Sequence, residues 1–535
     1  MKMVYNIKDK PTFGKLIIFA FQQLLAIMAA TIAVPMIIGN GMSTSAALFG
    51  AGVGTLVYLG FTLMKSPVFL GSSFAFLGSM ATAFAGAASV GLGYVGLIIG
   101  AVLAGLVYVV IAIIIKFVGS KWIYKIMPAV VIGPVVAIIG LSLAGNAVGD
   151  LQTPSYTQTL DANEYAIVEV DKTYTTPDGE FSFLASDMGE NIAPSYAVIN
   201  EDGSINENIT VALNEDGTFN VTTKPGSPYV AIICGIITLL TVMICSVYGN
   251  KMGKMIPFII GILAGYVACS IFYVIGALTG NHALQVIDYS AITNTFREVN
   301  FSSFISVPDF TFIKAFGSIG ELTPAYFGTV AVAYIPVAMV VFAEHVADHR
   351  NLSSIIDKDL LYVPTKEEIK QKSDVGPGLH RTLLGDGIGS MVGAFFGGCP
   401  NTTYGESVGC VAITKNASTI TILVTAIEAI LISFITPFVA FLSTIPNCVM
   451  GGVCIALYGF IAVSGLKMLQ KVDLDKNRNL FTASVILIAG IGGLSLTFGS
   501  VTITAIATAL ILGILVNVIL SGKDKKEKNK ETENE

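Results

Sequence analysis

Residues 397–415 read GGCPNTTYGESVGCVAITK and place a carboxylate, Glu406, among Gly, Pro, Thr and Tyr in a chain whose neighbouring segments are almost continuously apolar. A membrane helix satisfies its own backbone, whereas Pro400, Thr402, Thr403 and the flanking glycines argue for a break. Irregular backbone at membrane depth persists only where protein or a water-filled cavity covers it, and such breaks commonly build binding sites. An intramembrane acid costs about 2.5–3.5 kcal/mol on insertion scales, so Glu406 itself points to function. The stretch predicts a binding site near the membrane midplane.

Composition agrees. Of 535 residues, 53% are hydrophobic and only 12% charged, about half the proportion usual in soluble domains. Apolar runs long enough to cross a core of about 30 Å recur along the chain. The fold class expected is an all-α polytopic membrane protein with spans near 14–38, 45–64, 67–86, 93–115, 127–147, 228–248, 256–278, 326–348, 382–398, 401–415, 418–441, 446–466, 479–497 and 501–520. Fourteen spans put both termini on one side. With the N-terminus inside, every Lys and Arg except Lys172, Lys224, Arg297 and Lys314 falls on the cytoplasmic side, as the positive-inside rule requires. No cleavable signal precedes the first span: residues 1–11 are polar and basic, without an A-x-A-like exit after the apolar run. A plasma-membrane protein with both termini cytoplasmic follows.

The pattern divides the chain into segments 1–5 (1–147), an external insertion (148–227), segments 6 and 7 with an external loop (228–325), segments 8–11 (326–441), segments 12–14 (442–521) and a charged cytoplasmic tail (522–535). The insertion carries 14 Asp and Glu against Lys172 and Lys224. Asp178-Gly179, Asp202-Gly203 and Asp216-Gly217, flanked by alternating stretches, predict hairpins and a small acidic β meander. The loop at 279–325 mixes apolar and polar residues and fits a surface or re-entrant helix. The tail from Lys523 mixes charges of both signs and reads as disordered. The seven cysteines sit in or beside apolar segments without ligand spacing and read as small core residues.

Two halves of seven segments have opposite topology, because seven is odd, which predicts an inverted repeat. Segments 3 and 10 should then correspond. Segment 3 holds Gly71-Ser72-Ser73-Phe74-Ala75 and segment 10 holds Asn401-Thr402-Thr403-Tyr404-Gly405, each a hydroxyl pair followed by an aromatic and a small residue. Two short extended stretches meeting near the midplane are expected, each next to a half-helix whose N-terminal amides face a ligand. Glu344, in VVFAEHVADHR, is the second intramembrane acid; Asp348, four residues on, shares its helical face, and His345 and His349 share a neighbouring one. Asp348 also fits the cytoplasmic end of the helix, wetted by solvent.

These residues carry a family resemblance. Gly71-Ser72-Ser73-Phe74-Ala75-Phe76, Ala343-Glu344-His345, Gly378-Leu379-His380-Arg381, Pro400 to Glu406 and Val449-Met450-Gly451-Gly452 resemble the nucleobase cation symporters of the nucleobase-ascorbate transporter group, in particular its bacterial uracil permeases. The resemblance spans the membrane part and leaves out the insertion. It implies a 7+7 inverted repeat, a core of segments 1–4 and 8–11, and a gate of segments 5–7 and 12–14. It also implies that Glu344 and Glu406, with backbone at Phe74 and Gly405, hold the nucleobase, with Ser73 and Tyr404 beside it and the Phe74 ring packed on it. Glu344, Asp348 and Glu406 are the implied proton-coupling residues; H+ is the coupling ion and no other cofactor is expected. An acid at 406, where the xanthine and urate branch has Gln, is similar to the uracil branch; Ser407 stands where the family signature usually has Asn. The partners implied are uracil, the lipid bilayer and a second copy in a homodimer, with no nucleic acid.

The chemistry of uracil suits such a site. Its flat ring offers two N–H donors and two carbonyl acceptors, which carboxylates and strand or helix amides can pair. A carboxyl kept from water beside a second acid holds its proton more readily, so Glu344 is suited to load a proton outside and release it inside. The alternatives are a xanthine or urate permease, or an anion transporter on the same fold; two acids in a pocket repel anions. A membrane enzyme is disfavoured, since no His-x-x-Glu-His-like, Gly-x-Ser-x-Gly or phosphate-loop pattern occurs. A receptor would need a cytoplasmic domain, and no cytoplasmic stretch is long enough.

Overall fold

The computed structural model describes residues 3–119, 128–156, 159–160, 166–169, 173–176, 179–182, 196–199, 206, 209–213, 219–223, 225–362, 376–498 and 501–533. Continuous apolar runs become helices α1 (Phe13–Ile38), α2 (Thr44–Phe61), α4 (Val90–Val118), α5 (Ala129–Ser142), α6 (Pro228–Tyr248), α7 (Pro257–Thr279), α8 (Pro324–Ile356), α12 (Asn447–Leu469), α13 (Asn477–Ile491) and α14 (Ala505–Glu533). Segment 3 is instead the strand β1 (Leu70–Ser72), a 3-10 turn (Phe74–Phe76) and the short α3 (Leu77–Ala85). Between α8 and α12 come α9 (Leu379–Gly397), the strand β2 (Asn401–Thr403), α10 (Gly405–Thr414) and α11 (Thr419–Ile432). Among the described residues, eight helices are long and apolar enough to cross a membrane, counting α5 together with the helix that follows it (Ala144–Gln152). The chain is a multi-pass membrane protein.

Several boundaries differ from those expected. The span at 418–441 breaks into α11 and a second helix, Thr436–Ser443, because Pro437 has no N–H to continue the ladder and starts a helix instead. At 492–503, Gly493 takes a positive φ of 71° and the β-favouring residues after it form a hairpin, Leu496–Phe498 against Val501–Ile503, where helix was expected on both sides. The helix α8 runs on to Ile356, two turns past Asp348, so that acid lies inside the helix and not at a wetted end. The helix α14 continues to Glu533 through the charged tail expected to be disordered; that tail is rich in Lys and Glu, which favour helix, and lacks Pro.

The insertion pairs as antiparallel hairpins, Thr173–Thr176 with Gly179–Ser182 and Ile209–Leu213 with Phe219–Thr223. The strand Tyr196–Ile199 reaches back to Ala166–Glu169, so the order is not a simple meander. Asp178, Asp202, Gly203, Asp216 and Gly217, on which the turn expectation rested, lie outside the described residues. The loop between α7 and α8 holds two short helices, Ser290–Arg297 and Thr311–Phe316. Near the N-terminus, Val4 and Tyr5 donate to the Lys415 carbonyl and Thr419 donates to that of Ile7, which ties the start of the chain to the turn between α10 and α11.

Helices α1, α2, α4, α8, α9 and α11 pack on one another, as do α5, α6, α7, α12, α13 and α14. The closest approaches use glycine, as in membrane bundles generally. At Gly389 of α9 an added Cβ would lie 2.7 Å from the carbonyl oxygen of Gly54 in α2 and 2.8 Å from Leu70. Gly389→Val is therefore expected to force α2, α9 and β1 apart. Overpacking of this kind costs about 1–3 kcal/mol, which thermal unfolding in detergent will read as a lowered midpoint; an unchanged midpoint would show that the seam can relax.

Candidate functional site

The two broken segments cross. The residue before Pro400 is confined to extended backbone, and Asn401-Thr402-Thr403 continue it as β2. It pairs antiparallel with β1, Leu70 with Thr403, Gly71 with Thr402 and Ser72 with Asn401. Ser73 N–H donates to the Pro400 carbonyl (2.9 Å) and Tyr404 N–H to that of Phe69 (3.3 Å). Asn401 Nδ2 donates to the Gly50 carbonyl (3.0 Å) and pins the crossing to α2. The Tyr404 ring fills the space where a Cβ on Gly71 would sit, and its hydroxyl donates to the Ser72 carbonyl (2.6 Å). Its hydroxyl thus holds the crossing together.

Each strand leads into a helix, so the first-turn amides of α10 (Gly405, Glu406, Ser407) have no partner within that helix and carry its positive dipole end. In front of them opens a cavity of about 440 Å³. Ser73, Phe74, Glu344, Tyr404, Gly405, Glu406 and Asp348, all singled out from the sequence, line it together. Asp348 Oδ2 accepts from Thr403 Oγ1 (3.2 Å), and its Oδ1 lies 3.7 Å from where a Cβ on Gly405 would be. The Phe74 ring meets Tyr458 of α12 edge to face, centroids 6.0 Å apart. The wall from the other helix set is mostly apolar, from Pro257 and Phe258 of α7 and Leu457, Phe460 and Ile461 of α12, with Ser464 of α12 and Ser246 of α6 as its hydroxyls. Lys254, in the short helix Lys251–Met255, is exposed and also lines the cavity. The arrangement offers carboxylate acceptors, amide donors and an aromatic face to a small flat polar solute.

Sequence reasoning missed the supports behind this surface. Ser407 Oγ accepts from Gln23 Nε2 of α1 (2.6 Å) and from Phe69 N–H (3.0 Å), so a single hydroxyl joins α1, the approach to β1 and α10 beside Glu406. Gln23 is a polar residue in an apolar helix, a signal open to reading. Ser407→Ala leaves the buried Phe69 N–H without its acceptor, at about 1–3 kcal/mol for an unsatisfied group, and leaves Gln23 Nε2 only its longer bond to the Ser407 carbonyl (3.4 Å). It is expected to lower both thermal stability and ligand affinity, and ligand affinity equal to wild type would remove Ser407 from the support of Glu406. Asp386 of α9 was also passed over: fully buried, its Oδ2 sits 2.6 Å from His345 Nδ1. His345 and His349 face away from the cavity, into protein.

The profile of the permease family matches residues 14–169 and 223–499, leaving out 170–222 within the acidic insertion. A uracil permease of Bacillus caldolyticus is 34% identical over 537 residues, covering 100% of this chain and 98% of that protein. The chain belongs to this permease family. A uracil permease of Bacillus subtilis (strain 168) is 32% identical over 97% of this chain and 95% of its own length. Among solved structures, the transmembrane domain of a cyanobacterium bicarbonate transporter is similar, with TM-score 0.50 and 13% identity, over 96% of this chain and 99% of that one. Murine Solute Carrier 26 family member A9, an anion transporter, gives TM-score 0.54 at 10% identity, over 97% of this chain and 69% of that one. At such identities the likeness is one of fold. As a member of its family this permease is a transporter and not an enzyme.

Proposed function

We propose that this permease imports uracil across the plasma membrane together with protons, by alternating access. The observation that carries the reading is the convergence of Glu344, Glu406 and the first-turn amides of α10 on one cavity at the crossing of β1 and β2. Two ring N–H groups of uracil meet carboxylate acceptors, and its carbonyls meet backbone donors at Phe74 and Gly405. A site that pairs every polar edge rejects analogues that leave its own groups unpaired. The relatives named above are uracil permeases, and the resemblance implies an acid at the position of Glu406 for that branch.

In this reading the chain has fourteen segments in a 7+7 inverted repeat, both termini cytoplasmic. The first helix set, with α3 and α10, is the core that carries substrate; the second is the gate, and the protein acts as a homodimer. Support comes from the two separately packed helix sets and from the cavity that lies between them. Protons couple through Glu344, Asp348 and Glu406. Anion transport on the same fold is disfavoured by three carboxylates around one cavity of about 440 Å³.

Radiolabelled uracil uptake into proteoliposomes under an inward proton gradient tests this, with unlabelled uracil, xanthine and sulfate as competitors. Uptake that rises with the gradient and is blocked by uracil alone is expected. Competition by xanthine or by sulfate would move the chain to the purine branch or to anion transport, and uptake indifferent to the gradient would make it a facilitator. Removing residues 170–222 is expected to leave the affinity unchanged; a weakened affinity would give the acidic insertion a role in gathering substrate.

A further inference from the structure

The mechanism proposed above leaves a buried polar network unused. On α8, His345 and His349 lie one turn apart with rings stacked, centroids 4.1 Å apart and 29° between planes. Each follows a cavity acid by one residue, Glu344 and Asp348, so a rotation of α8 by one residue would exchange acids for imidazoles at the cavity.

Hydrogen bonds oppose that rotation. His349 Nδ1 lies 2.8 Å from the His345 carbonyl oxygen, which only accepts, so Nδ1 carries a proton. Nε2 lies 2.6 Å from the Tyr58 hydroxyl of α2, which is hydrogen-bonded in turn to Ser66 Oγ (2.7 Å). Among the described residues no carboxylate is hydrogen-bonded to His349, and a buried cation without a partner is costly, so Nε2 is an acceptor, served by the linked hydroxyls of Tyr58 (2.6 Å) and Ser66 (3.4 Å), whichever of the two turns its proton to the ring. His345 is held from α9, Nε2 at 2.9 Å from Thr382 Oγ1 and Nδ1 at 2.6 Å from Asp386 Oδ2. Thr382 Oγ1 gives its own proton to the Leu379 carbonyl (3.0 Å), so Nε2 donates to it, and with one further proton in the Nδ1 to Oδ2 link the pair is neutral overall whichever of those two atoms carries it. The Tyr108 ring of α4 stands edge-on to His345, centroids 6.1 Å apart. Tyr58, Tyr108 and Asp386 are the titratable groups that face the two imidazoles from the elements packed against α8, and the imidazoles are themselves buried.

We propose that His345 and His349 are positioning residues: clamped to α9 and α2, they fix the rotation of α8 that turns Glu344 and Asp348 to the cavity, and they do not carry the coupled proton. The inference rests on the transport reading for its kinetic test and on geometry alone for its spectroscopic one. His349→Gln keeps an acceptor near the position of Nε2, whereas His349→Leu removes it.

Uracil uptake by wild type and both variants is to be measured in proteoliposomes across pH, with 15N spectra of histidine-labelled protein alongside. The chain has only four histidines, which makes the spectra assignable by substitution. Expected for His349→Leu is a KM raised by about tenfold, the worth of one buried hydrogen bond, with the pH midpoint of uptake unmoved. His349→Gln and wild type should agree within about threefold. Tyr58→Phe, which keeps the ring, should repeat the leucine result and guards against a misfolded variant. The two imidazoles should keep fixed tautomers from about pH 6 to about pH 8, where free histidine titrates. The same KM in all four proteins, a shifted pH midpoint, or imidazoles that titrate would each overturn the proposal. A wild type without uracil uptake would sink the transport reading and leave the spectra to decide: a His345 tautomer lost in His349→Leu and kept in His349→Gln upholds the clamp, and no difference overturns it.

Discussion

Glu344→Gln is expected to bind uracil and exchange it across the membrane, yet fail to accumulate it against a proton gradient. Glutamine keeps the shape and a carbonyl acceptor at the cavity wall while removing the group able to gain and lose a proton. One pH unit corresponds to about 1.4 kcal/mol for each proton moved, so a gradient of about one unit sustains about tenfold accumulation in the wild type with one-proton coupling. In the variant the ratio should settle near unity. The check is a pair of assays on one preparation: gradient-driven uptake, and exchange of labelled against unlabelled uracil at equal pH. Accumulation retained in full would move coupling to Asp348 or Glu406. Loss of exchange as well would make Glu344 indispensable for binding.

Glu406→Ala should abolish most binding. The residue stands in the first turn of α10, in the cavity that also holds Glu344. Its carboxylate is the acceptor for ring N–H in the proposed pose, and a hydrogen bond to a charged group contributes about 1.5–3 kcal/mol. Removing it should weaken uracil by about ten- to a hundredfold, read by calorimetry on purified protein. Glu406→Gln tests the branch argument, since it restores a carbonyl acceptor and adds N–H donors; weaker uracil and stronger xanthine binding are expected. An alanine variant within about threefold of wild type would place the ligand against Glu344 and α12 instead. The two variants should also differ in stability: both remove the carboxyl and lift its insertion cost, and only alanine also truncates the side chain and leaves a cavity.

The long spans were legible because burial in lipid demands continuous apolar sequence and a self-satisfied backbone. The expected 228–248 and the observed Pro228–Tyr248 agree to the residue. The break at Pro400 to Gly405 was legible for the converse reason, a cluster of residues that a membrane helix does not favour. Pro437 was equally visible and went unused, so one span was read where two helices stand. The hairpin at Leu496–Phe498 was hidden by its apolar residues, which suit lipid as helix or strand.

The sequence by itself determined the chemistry available: which acids lie in apolar surroundings, where the backbone breaks, and that two such breaks correspond across the chain. Those properties are local, set by side-chain hydropathy and by backbone rules acting over a few residues. Only the tertiary structure decided which groups meet. The antiparallel register that joins Gly71 to Thr402, the Ser407 hydroxyl receiving Gln23 from 384 residues away, and Asp386 turned to His345 and not to the cavity depend on how separate helices seat against each other. That seating is fixed by glycine contacts such as Gly54 on Gly389, and no periodicity within either helix records its partner.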